Sequence, residues 1–258
     1  GSVNRKQAIL LTTMTMKMAA MTSAALGLLL LSGCGNTSSD NDSAALPGNG
    51  VVEEVWDFDN ADGWEYFHQD TATVDQWAIS DGMLALTTRA NTYDRTKMHT
   101  ADSTFADGVY RWRTYVPAIT IGEQVSVGSW IYHDDHHELD FEVGPGKAEI
   151  RKEAGAAPDE LLACMTNQDL PFKSGYTPIK PGWHDFEIRL DVTADGMYLA
   201  IWSIDGVEKQ RLNLEFGPET GFTIQCSVEN LEFIGDNISA SDYTALYDRV
   251  SFKGHKNT

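Results

Sequence analysis

The sequence predicts an all-β protein, a β-sandwich or barrel, and three observations carry the prediction. Short runs of alternating or β-rich residues recur along the chain, broken by Gly, Asp, Asn and Pro. Two favoured hairpin turns stand between such runs, Asp205-Gly206 and Ser80-Asp81-Gly82. Helix signals are scarce: only residues 158–165 (PDELLACM) start with Pro and two acids before an apolar run. In order, the predicted strands are 54–58, 76–79, 83–88, 108–116, 124–132, 138–143 and 148–152, then 184–192, 197–204, 207–212, 222–228, 231–234 and 245–252. Many short strands without an internal repeat fit a sandwich or barrel. The seven Trp residues spread across the chain are mostly expected in its core, with one or two left exposed.

Composition divides the chain into three parts. Residues 1–33 read as an export signal: Arg5, Lys6 and Lys17 precede an apolar run over residues 24–31 that is too short to span a bilayer comfortably. The end of the run, Leu31-Ser32-Gly33-Cys34, resembles a bacterial lipobox, which implies an acylated Cys34 and a cell-envelope lipoprotein held at the membrane. Residues 34–50, rich in Asn, Ser, Asp and Gly, bury too little apolar surface to fold and are expected to be a flexible tether. Residues 51–258 are expected to form the folded part, of a length that suits one domain, and a monomer is expected.

The signal segment holds three of the 19 basic residues and no acid, so the remainder carries 16 basic against 38 acidic residues, a net of −22. That field repels phosphate backbones and excludes nucleic acid as a partner. It also opposes highly sulfated or polyuronic polymers unless a local basic patch exists. Apart from Cys34, Cys164 and Cys226 remain, and an exported setting permits a bridge between them without establishing one.

The most informative stretch runs over residues 133–144, HDDHHELDFEVG. Glu138, Asp140 and Glu142 alternate with Leu139, Phe141 and Val143, so a strand puts three carboxylates on one face and three large apolar groups on the other. Like charges so close raise one another's pKa values, which makes the row unfavourable without a use. Residues four apart on a strand have Cα atoms about 13 Å apart. Two Glu side chains leaning together can close to the carboxyl separation of about 5–5.5 Å that retaining glycosidases use.

Glu138-Leu139-Asp140-Phe141-Glu142 resembles the catalytic strand of glycoside hydrolase family 16. So do residues 108–117 (GVYRWRTYVP), Ser129-Trp130-Ile131, residues 183–188 (WHDFEI) and the segment 198–206, in the right order. The resemblance implies a two-sheet β-sandwich, a concanavalin A-like β-jelly roll, and a retaining endo-glycoside hydrolase acting on a β-linked polysaccharide of β-glucan or galactan type. Carried over by position, Glu138 is the nucleophile, Asp140 its assistant and Glu142 the acid/base. Trp130, His133, His137, Arg113 and Trp183 are the candidate substrate-binding residues. The turn before Glu138 departs from the family, with His133 to His137 in place of a Trp-Pro or Gly-rich turn.

That His-Asp cluster matches no known ligand spacing, so it is read as a polar loop at a cleft rim and no catalytic metal is assigned. No cofactor is required. By resemblance a structural Ca²⁺ is a candidate, near Asp248 with Asp57 or Asp59. Two other functions stay open: a surface glycan-binding protein of the same fold without turnover, and a polysaccharide lyase in which a His or Tyr base works beside Arg111 or Arg113.

Overall fold

A computed structural model describes residues 50–258. The expected signal segment, Cys34 and all of the tether but Gly50 lie outside the described residues. In chain order the strands are β1 (Val52–Trp56), β2 (Trp64–His68), β3 (Trp77–Ser80), β4 (Met83–Thr88), β5 (Arg95–Thr100), β6 (Phe105–Val116), β7 (Val125–Asp134) and β8 (His137–Gly144). After helix α1 (Ala148–Ala154) come β9 (Leu161–Asn167), β10 (Lys173–Ile179), β11 (Gly182–Val192), β12 (Tyr198–Ile204), β13 (Val207–Asn213), β14 (Thr223–Asn230) and β15 (Tyr243–Lys256).

The strands build two antiparallel sheets, the sandwich that the sequence predicts. One has eight strands, ordered β13-β12-β11-β6-β15-β4-β3, with β1 also paired to β15. The other has seven, ordered β10-β9-β8-β7-β14-β5-β2. Both hairpin predictions hold for a stated reason: Asp81-Gly82 and Asp205-Gly206 have φ of 52°, 69°, 51° and 78°. Two successive positive φ values define the turn whose twist matches antiparallel strands.

Between the sheets, Tyr110, Trp112, Phe186, Trp202, Tyr247 and Phe252 meet Met98, Val127, Ile131, Leu139, Phe141, Ile224 and Val228, all buried in one cluster. Each such side chain contributes about 1.5–3 kcal/mol by leaving water. The aromatic polar tips also bond across the sandwich. Trp202 Nε1 donates to Asp140 O at 3.1 Å, Trp112 Nε1 donates to Gln225 O at 3.0 Å, and Tyr247 OH reaches Ser227 O at 3.2 Å. The eight-stranded sheet thereby grips the backbones of β8 and β14 from beneath.

Several local expectations are corrected. Residues 158–165, read as a helix, hold a turn and most of β9, while 148–152, read as a strand, begin α1. Every residue of β9 is buried, so its apolar run has no period to read. Helix α1 is made of good helix formers, with Glu149 in its first turn, Arg151 and Lys152 in its last, and Gly155 at φ 69° closing it. Residues 231–234 form a turn rather than a strand, and β2, β5 and β10 are strands that the sequence pattern did not announce. Cys164 and Cys226 are both free and buried. They sit on β9 and β14 with β8 and β7 between, and Cys226 joins the core while Cys164 turns toward Glu142 on the opposite face.

Candidate active site

The site lies on the outer face of the seven-stranded sheet. Strand β8 forms because Leu139, Phe141 and Val143 bury between the sheets, which sends Glu138, Asp140 and Glu142 together to the other side. Neighbouring strands continue that face: Tyr132 pairs with Glu138, Trp130 with Asp140 and Gly128 with Glu142 on β7. On β9, Thr166 pairs with Asp140 and Cys164 with Glu142. The three acids are almost wholly withdrawn from solvent, at 1, 0 and 6 % exposure.

Buried carboxylates need hydrogen-bond partners. Gln168 Nε2 donates to Asp140 Oδ2 at 2.8 Å. On the β9 side, Cys164, Thr166 and Ser174 form a compact polar group with separations of 3.2, 3.3 and 3.0 Å. Burial pushes the Cys164 thiol up to about 12, and the charges of Glu142 and Asp140 push the same way. Burial likewise raises the Tyr176 hydroxyl, with the Cys164 and Glu142 charges adding to it.

On the β7 side the face opens into a hollow of about 380 Å³ lined by Phe67, Gln69, Lys97, His99, Trp130, Tyr132, His133 and Gln225, with Ser103, Asp135, Gly221 and Thr223 at its edge. This is the size and mixture of aromatic and polar groups that a small-molecule or sugar site uses. The acids do not line the hollow; their cross-strand neighbours Trp130 and Tyr132 do. Trp130 lies over Gly128 and donates from Nε1 to Ser227 Oγ at 2.9 Å.

The expected binding residues divide. Trp130 and His133 stand at the hollow, where His133 Nδ1 donates to Gly221 O at 2.7 Å. His137 does not: it shares the core face of β8 with Leu139, packs 4.6 Å from the Phe216 ring, and bonds Asp134 at 2.6 Å. Burial opposes the Asp134 charge, but the His137 bond and the His136 backbone N–H outweigh it and hold the carboxyl below its ordinary range.

Arg113 and Trp183 are corrected outright. They belong to β6 and β11 of the eight-stranded sheet, where the Arg113 guanidinium lies 5.4 Å over the Trp183 ring and 3.3 Å from Asp185. On those strands Trp112 and Phe186 take the core, so their neighbours face outward, on the far side of the sandwich. Arg111 is there too, bonded to Glu187 at 2.7 Å, which removes both arginines that the lyase reading needed.

Among the described residues no group of three or more His, Cys, Asp or Glu is gathered to hold a metal ion. Of the three acids suggested for Ca²⁺, Asp57 lies 4.0 Å from the Arg249 guanidinium. The residues that sequence reasoning missed are those of the far wall, Phe67, Gln69, Lys97 and His99, on or beside the unannounced β2 and β5.

No family model matches the chain, and no curated protein matches it. Solved structures do. A prokaryotic β-1,3-1,4-glucanase (lichenase) derived from a mouse hindgut metagenome superposes with a TM-score of 0.56 at 16% identity, covering 78% of this chain and 98% of that one. The catalytic domain of an endo-1,3-β-glucanase (laminarinase) from Thermotoga petrophila RKU-1 gives 0.59 at 14% identity, covering 81% and 98%. The apo Crh5 transglycosylase gives 0.58 at 17% identity, covering 78% and 84%. The described domain therefore has the two-sheet jelly-roll fold of these proteins.

Proposed function

We propose that the protein is a retaining endo-glycoside hydrolase that cleaves a β-linked polysaccharide of β-glucan or galactan type. One observation carries the reading. Three acids at alternate positions of one strand occupy the same sheet face as a sugar-sized hollow, one strand away from its Trp130 and Tyr132 wall. That the fold is shared with a lichenase, a laminarinase and a transglycosylase supports the same reading.

In this mechanism the Glu142 carboxyl gives its proton to the glycosidic oxygen while the Glu138 carboxylate bonds to the anomeric carbon. The leaving chain departs as an alcohol. Water, giving a proton to Glu142, then attacks the same carbon and releases Glu138. Asp140, held by Gln168 Nε2, orients the nucleophile. The polymer lies against Trp130, whose apolar face suits a pyranose ring.

The test is turnover on a panel of β-1,3-glucan, β-1,3-1,4-glucan and galactan, with the product anomer followed by NMR. Glu138→Gln and Glu142→Gln each lower the rate by roughly 10³-fold or more. No product from any polymer, or activity that survives both changes, rejects the reading. A second reading has its own support: the acids are nearly unexposed and the hollow is lined without them. A glycan-binding protein without turnover would hold its ligand by calorimetry with Glu138 changed to Ala and yield no product.

Export and acylation at Cys34 belong to the same proposal, placing a monomer at the cell envelope. Mass spectrometry of membrane-fraction protein checks it, and an unmodified Cys34 in the released protein overturns it.

A further inference from the structure

The outer face of the eight-stranded sheet, opposite the hollow, carries one continuous apolar row. Trp183 of β11 pairs with Tyr115 of β6, Tyr115 with Leu246 of β15, Leu246 with Ala85 of β4, and Ala85 with Ala78 of β3. All five face outward, because Phe186, Val116, Ala245, Leu86 and Ile79 take the inward positions of the same strands. Trp183 and Ala78 are exposed, and the three between them are half-buried. The row crosses five strands at right angles to the chain direction.

Its aromatic end is held in one orientation. The Tyr115 ring meets the Trp183 indole edge-on at 5.5 Å, and the Arg113 guanidinium sits 5.4 Å from the indole centre. A platform fixed beforehand loses little freedom when a ligand lands on it. Groups that hydrogen-bond run along both sides of the row. On one side Asp185 and Arg113 face each other 3.3 Å apart. On the other, Thr87 and Thr244 present paired hydroxyls 2.8 Å apart.

The dimensions decide what fits. Four strand spacings at about 4.8 Å make the row about 19 Å long, and one side chain on a strand face makes it about 7 Å wide. That is about 130 Å², against the roughly 800 Å² per partner of a stable protein interface. A second copy of this chain or another globular protein would find too little apolar surface. A linear chain of sugar rings has the matching shape: its apolar ring faces lie along the row and its hydroxyls reach the polar groups at each side. The 38 acids of the protein disfavour an anionic polymer and leave a neutral one.

We propose that the row from Trp183 to Ala78 is a second glycan site that binds a neutral β-linked polysaccharide on the face opposite the acids. This site needs no turnover, and it does not depend on the hollow being a sugar site.

The test titrates short oligosaccharides of β-1,3-glucan, β-1,3-1,4-glucan and galactan calorimetrically into the full chain carrying Glu138→Gln, which stops cleavage during the measurement. At least one of them binds at two sites per chain. Adding Trp183→Ala weakens one of the two events by about tenfold, as loss of a stacking platform implies, and leaves the other unchanged. Ala85→Arg, an outward change that keeps the indole and obstructs the middle of the row, weakens the same event. Thermal melts show that both variants are folded.

One event per chain that both variants leave intact overturns the inference and leaves the reading of the hollow standing. One event per chain that both variants remove supports the second site and rejects the hollow as a sugar site. No binding of any oligosaccharide overturns the inference. So does a dimer in sedimentation velocity, or binding to phospholipid vesicles, that Trp183→Ala abolishes while glycan binding stays the same.

Discussion

Gly128→Ala probes the floor of the site with a single methyl group. Gly128 sits on β7 between Glu142 of β8 and Ser227 of β14. A Cβ placed there falls on Ser227 Oγ, far inside van der Waals contact, and 3.0 Å from both Cδ1 and Nε1 of Trp130. Ordinary separation is about 3.5 Å, so the hydroxyl must recede by more than about 1 Å. Either it rotates away and breaks its 2.9 Å bond from Trp130 Nε1, or the indole lifts off the strand into the hollow. Overpacking of this kind costs about 1–3 kcal/mol, and the broken bond is worth about 1 kcal/mol of that. At about 2 kcal/mol in total, a domain of this size melts about 4–8 °C lower. Scanning calorimetry and glycan titration read the two consequences separately, because a displaced Trp130 also weakens binding. The double change Gly128→Ala with Ser227→Gly makes room for the methyl group, and the two effects are then strongly non-additive. Unchanged melting and binding in Gly128→Ala, or simple additivity in the double variant, would refute the argument that glycine here makes room for the indole.

Two further predictions concern stability and thiol chemistry. Asp94 is buried and accepts bonds from Arg89 Nε and Nη2 at 2.8 Å and from the Arg89 backbone N–H at 3.0 Å. Burial works against its charge, but the Arg89 bonds prevail and hold the carboxyl well below its usual value of 3.8. A depressed folded-state value gives stability that is present above about pH 4 and is lost as pH falls below it. Asp94→Asn should cost about 2 kcal/mol at pH 7 and flatten the melting curve between pH 4 and pH 2; an equally steep acid loss in the variant contradicts this. The Cys164 thiol, pushed up to about 12, and the Cys226 thiol, raised by burial alone, should resist iodoacetamide at pH 8 in the folded protein and alkylate when guanidinium unfolds it. Peptide mapping that finds native labelling within minutes, or a bridge between the two, counts against the structure.

The residues explain why some of this was legible beforehand. Strand β4 matches the predicted span 83–88 because Leu84, Leu86 and Thr88 bury at every second position. Strand β8 was readable for the same reason, and its alternation also told which face the acids take. Strands β2 and β5 escaped notice because WEYFH and RTKMHT show no clear apolar alternation. On β5 the inward positions are Thr96, Met98 and Thr100, and only the partner strands reveal that this modest face closes a core. Arg113 and Trp183 went astray differently. They rest on similarity of segments, which carries no information about which sheet a strand joins.

Periodicity is local, fixed by the pleat within a few residues, and so the chain alone determined that it is all-β, where its tight turns fall, and that Glu138, Asp140 and Glu142 stand side by side. Strand order is non-local. The placement of β7 and β14 between β8 and β5, with β6 and β11 on the far side, depends on pairings between segments more than a hundred residues apart, such as Glu229 with Arg95. Those pairings are decided by how two whole sheets bury their inner faces together, which only the tertiary structure shows.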